Sequence, residues 1–102
     1  MGYSLTIEPD LNSGDWDMVL HVRLSREEAS DLFLAGDAMV AWPSGRVEGE
    51  DPGLERSSMF LSEIAARSAG LRIHYPDRFQ VERAAIVVRA RLSEAGLGEE
   101  LE

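Results

Sequence analysis

Tyr3, Leu5 and Ile7 alternate with Ser4, Thr6 and Glu8, and Met18, Leu20, Val22 and Leu24 alternate with Val19, His21 and Arg23. A period of two marks a strand with one buried face. Pro9 and Asp10 close the first run, and residues 10–15, with Asn12, Ser13 and Gly14, supply turn chemistry. The two runs therefore predict a β-hairpin with a long loop. Leu71, Ile73 and Tyr75 alternate with Arg72 and His74 and predict a short third strand.

Elsewhere the period lengthens to that of a helix. Ser25 followed three residues later by Glu28 is a capping box, in which the hydroxyl accepts one orphan amide and the carboxylate reaches back to another. Ala29, Leu32, Phe33, Gly36, Met39 and Val40 then form one stripe, predicting a helix that runs to Trp42 and stops at Pro43. The alternative is a break at Gly36 and a short strand over residues 38–42. Residues 43–53 read as a loop, and residues 54–69 as a second helix with Phe60, Leu61, Ile64 and Ala65 inward and Gly70 as its stop. Asp77 caps a last helix that ends near Gly96. Its stripe Val81, Ala84, Ala85, Val88, Leu92 and Ala95 faces one way, while Phe79, Ile86 and Ala90, flanked by Val87, face roughly the other. A helix apolar on two faces is buried on both. Either it lies between two layers of its own domain, or Phe79, Ile86, Val87 and Ala90 meet another subunit. The same segment is rich in β-branched residues at 86–88, but the caps at both ends favour helix.

These elements predict an α+β fold: a small, mainly antiparallel sheet, the hairpin plus the third strand, with three helices packed on one face. Residues 1–95 read as a single domain and residues 96–102 as a frayed acidic tail.

Composition narrows the chemistry. The chain has 102 residues, no cysteine, and ten basic residues, all of them arginine. Schiff-base and P-loop lysines, thiolate nucleophiles, cysteine zinc sites and disulfides are all excluded. No apolar run approaches the ~18 residues of a membrane helix, and the N-terminus has no basic, then apolar, leader pattern. The expectation is a cytoplasmic protein with no membrane contact. The net charge of −9 is uneven: residues 1–55 hold 12 acids and 3 arginines, whereas residues 56–102 hold 7 of each. Such a balance argues against binding a nucleic-acid backbone and points to a protein partner, itself basic, or to a second copy of the chain.

If the three strands share one sheet, its polar face displays Thr6, Glu8, His21, Arg23, Arg72 and His74. Arginine there could clamp a carboxylate or phosphate, and His21 or His74 could act as a general base. The bland counterpart is that one face of an antiparallel sheet is normally just solvated. The two histidines with Glu8 could hold a metal, but neither lies in a compact ligand spacing. The run from Asp10 to Asp15 superficially resembles a calcium loop, but Asp15 stands at the glycine position and His21 at that of the terminal glutamate, so a hairpin turn explains it better. Residues 63–71, with Ala66 four residues before Gly70, resemble the first helix and turn of a DNA-binding helix-turn-helix. The resemblance stops there: residues 73–75 alternate as a strand and Pro76 stands where a recognition helix needs an apolar residue. No residue is assigned a catalytic role, and no cofactor or metal is implied. The expected function is a non-catalytic protein-interaction module, such as an adaptor, regulator or immunity-type protein, working as a homodimer. The alternative is a small enzyme or anionic-ligand-binding protein that uses His21, Arg23, Arg72 and His74.

Overall fold

The N-terminal runs pair antiparallel along their whole length as β1 (Gly2–Pro9) and β2 (Trp16–Arg23), with Gly2 opposite Arg23 and Pro9 opposite Trp16. The structure, a computed structural model, describes residues 1–42, 44–49 and 57–100. Between the strands, Asp10 Oδ1 accepts the amides of Asn12 and Ser13, the Asx-turn that a short carboxylate makes with its own backbone.

After β2, helix α1 (Arg26–Leu34) starts on the capping box: the Ser25 hydroxyl accepts the Glu28 amide at 3.1 Å, and Glu28 Oε1 accepts the Ser25 amide at 2.9 Å. The helix stops at Ala35, because Gly36 takes the left-handed conformation, φ 87°, that other residues adopt only with strain. The continuous helix to Trp42 is thus corrected. Residues 39–41 instead form β3 (Met39–Ala41), in which Val40 and the following Trp42 are buried and Met39 and Ala41 are not. The stripe is corrected with it: a nine-residue helix does not carry Phe33 to the core, and Phe33 is 76% exposed. Helix α1 packs at the rim against α2 (Leu61–Ala65) and buries no residue fully.

Glu28 also meets the amino group of Met1. That ammonium, and then the Ser25 amide and hydroxyl, lower the Glu28 pKa from 4.5 to about 2. The folded-state value is depressed, so this contribution is complete above about pH 4.5 and is lost as pH falls through about 2. We expect the protection of α1 amides, relative to an unfolded chain at the same pH, to fall over that window and Glu28→Gln to remove this pH dependence, as read by amide hydrogen-exchange NMR. Unchanged protection of residues 29–31 down to pH 2 would contradict it.

β4 (Arg46–Val47) and β5 (Ser58–Phe60) follow, and β5 pairs with β3 in a small second sheet that sets Met59 opposite Val40, both buried. The expected second helix over residues 54–69 is therefore shorter: among the described residues, 58–60 are extended because Met59 has a cross-strand partner, and the helix is confined to α2. Residues 54–56, with much of the expected loop, lie outside the described residues. β6 (Leu71–Tyr75) is the expected third strand and lies beside β2. The helix-turn-helix resemblance ends at α2 for that reason, since β6 occupies the place of a recognition helix.

Helix α3 (Arg78–Glu94) is capped by Asp77, whose carboxylate accepts the Gln80 amide at 2.8 Å. The chain then turns back, and β7 (Gly98–Glu99) adds to β1 in parallel, with the Glu100 amide donating to the Tyr3 carbonyl at 2.6 Å. Residues 98–100 are therefore docked, not frayed, because Leu97 is buried and holds the returning chain against the core. The main sheet is mixed, in the order β4-β6-β2-β1-β7. Among the described residues the fold is α+β with three helices, as the periodicity predicts. A single core joins Leu5, Met18, Leu20, Leu71 and Ile73 of the sheet to Leu61 and Ile64 of α2 and to Val81, Ala85, Val88 and Leu92 of α3. Among the described residues no helix is long and apolar enough to cross a membrane.

Candidate functional site

Strand register decides what the polar face brings together. Three strands place Glu8, Asp17 and His74 in one row, and β4 adds Arg46 opposite His74. The next row is Thr6, Val19 and Arg72. Asp17 is the centre of this arrangement. It is a carboxylate only 2% exposed, on the face expected to be solvated. A buried carboxylate survives only if its oxygens are satisfied. Arg72 Nη1 donates to Asp17 Oδ2 at 2.7 Å, and His74 Nδ1 lies 2.6 Å from Oδ1. A carboxylate can only accept, so Nδ1 carries the hydrogen. Arg72 also meets Glu8 Oε1 at 2.7 Å, and His74 Nε2 faces Glu48 Oε1 at 3.7 Å. These bonds, first to Asp17 and then to Glu8, raise the Arg72 pKa above its ordinary value. The Asn12 amide and then the Ser13 hydroxyl lower that of the neighbouring Asp10.

The other predicted residues stand apart. Thr6 is exposed and is separated from Arg72 by Val19. His21 lies four residues along β2 from Asp17, about 13 Å at strand spacing, so the two histidines do not share a site. The His21 ring covers Gly70, where a Cβ would come 2.6 Å from Cε1 and where φ is 86°, so glycine is required on both counts. Arg23, near the far end of β2, donates to Glu100 Oε2 at 3.0 Å. Asp17 is the residue that the sequence reading missed. Extending the alternation one step back from Val19 would have placed it on the polar face beside Glu8.

On the opposite side of the molecule α3 sends its two stripes in different directions. Val81, Ala84, Ala85, Val88 and Leu92 are buried. Phe79 and Ile86 are each 67% exposed and Val87 48%, with Ala90 also exposed. Arg83 lies 5.6 Å from the centre of the Phe79 ring, a cation–π contact that holds the ring on the surface. A cleft of about 300 Å³ runs beside them, lined by Ser44, Phe79, Gln80, Arg83, Ala84 and Val87.

No family model, curated protein or solved structure matches this chain.

Proposed function

We propose that this protein is a non-catalytic interaction module that self-associates through the outer face of α3. The observation that carries this reading is the row Phe79, Ile86 and Val87, exposed on a helix whose other face already fills the core. A contiguous apolar patch on a protein surface marks an interaction site. The row also suits two-fold pairing. An axis near Ile86 sets the bulky Phe79 end of one helix against the small Ala90 and Ser93 of its partner.

The anionic-ligand reading is less favoured, because Arg72 and Arg23 are already engaged by carboxylates of their own chain. Sedimentation velocity tests the interaction reading. Wild type is expected to be a dimer and Ile86→Glu a folded monomer, weakened roughly 100-fold as at a central hot spot. His21→Ala and His74→Ala should leave association unchanged. A wild-type chain that stays monomeric at several hundred micromolar would overturn the proposal.

A further inference from the structure

We propose that Asp10, Asp17 and His74 bind one divalent transition-metal ion, of the zinc, cobalt or manganese class. Each of the three offers a ligand atom, and these atoms lie within 4.8 Å of one another. Metal–ligand bonds of about 2.0–2.2 Å require donors roughly 3–3.5 Å apart, so Asp10 must move inward and the Asp17–His74 pair, now 2.6 Å apart, must open slightly to complete the set. Asp10 stands at the half-buried mouth of the cluster and Asp17 at its buried floor.

Supporting contacts orient each ligand, as they do around protein-bound metals. Arg72 pins Asp17 through Oδ2 and leaves Oδ1 toward His74. The Asn12 and Ser13 amides pin Asp10 through Oδ1. The ion would take the place of the hydrogen now shared by His74 Nδ1 and Asp17 Oδ1. The imidazole stays neutral by carrying its hydrogen on Nε2, which faces Glu48 Oε1 at 3.7 Å. A carboxylate within hydrogen-bond reach of the second ring nitrogen commonly orients a ligating imidazole, and Glu48 would have to close from 3.7 Å to do so here.

Charge favours a cation at this place. Glu8, Asp10, Asp17 and Glu48 surround a single guanidinium, Arg72, and a histidine. The next guanidinium, that of Arg46, leans instead toward Asp15 at 3.9 Å. One nitrogen and two carboxylate donors suit borderline divalent ions and are too few for calcium, which takes six to eight oxygens.

Isothermal titration of the chelator-treated full chain with zinc chloride, and with cobalt chloride followed by visible absorption, tests the site. We expect one ion per chain, with visible cobalt bands. Asp10→Asn, which can keep the turn, and His74→Gln should each weaken binding by ~10-fold or more, and His21→Ala should not change it. Absence of binding at 1 mM zinc, or binding that survives both Asp10→Asn and His74→Gln, would sink the proposal. Association through α3 is read separately by sedimentation, so either idea can fail alone.

Discussion

Removing the Asp17 carboxylate with Asp17→Ala is expected to destabilise the fold by ~2–3 kcal/mol, read as a lower urea midpoint at unchanged slope. Asp17 is 2% exposed and accepts from Arg72 and His74, two donors on one neighbouring strand. Breaking a buried ion pair costs about 3–5 kcal/mol when the surviving charge is stranded. Here Arg72 keeps Glu8 and is about a third exposed, so the lower end applies. The loss falls mainly on His74, whose side chain is 14% exposed and whose Nδ1–H is left without its acceptor. Asp17→Asn keeps the shape but offers its amide N–H₂ to one of two donors. It should therefore cost nearly as much as alanine. A cost below about 0.5 kcal/mol for both variants would mean that β6 does not sit on β2 in this register.

Trp42→Ala should have a still larger effect, a loss of ~3–5 kcal/mol. Trp42 is fully buried and is among the largest side chains in the core. It follows β3 directly, and its amide donates to the Ser57 carbonyl at 2.8 Å, locking β3 to the chain entering β5. The small sheet also reaches α3, where Arg91 Nε donates to the Met39 carbonyl at 3.0 Å. Alanine would leave a cavity that a two-stranded sheet with short strands collapses into only in part, so the cost includes a cavity term. At the scale of a 100-residue domain this lowers the melting temperature by roughly 15 °C or more. Trp42→Phe should lose less, because most of the ring volume stays. A loss under 1 kcal/mol for Trp42→Ala would show that β3 does not pack on α3.

The two variants probe the two places where periodicity alone was weakest. Asp17 adjoins the turn, and a carboxylate there is as easily a loop residue as a strand residue. Only the pairing of β2 with both β1 and β6 buries it. Trp42 precedes Pro43, and an apolar stripe with helical spacing runs up to it, so helix and strand both fit the local pattern. Gly36 decides between them, and its left-handed φ is a property of the folded chain. Helix α3 was legible in full, because its cap, its length and both of its stripes are local. Whether the second stripe is covered was not, because covering is a matter of what lies across from it.

The chain by itself determined its strands β1, β2 and β6, the starts of α1 and α3, and the exclusion of lysine and cysteine chemistry. Each of these follows from spacing within a short segment or from composition. Tertiary structure alone decided that β6 joins β2, that Glu8, Asp17, Arg72 and His74 converge while His21 and Arg23 stand apart, and that β7 returns to β1. These depend on strand order and register between segments up to 96 residues apart, as in Gly2 opposite Gly98. Register is set by the burial of whole faces at once, and no local window of sequence contains that information.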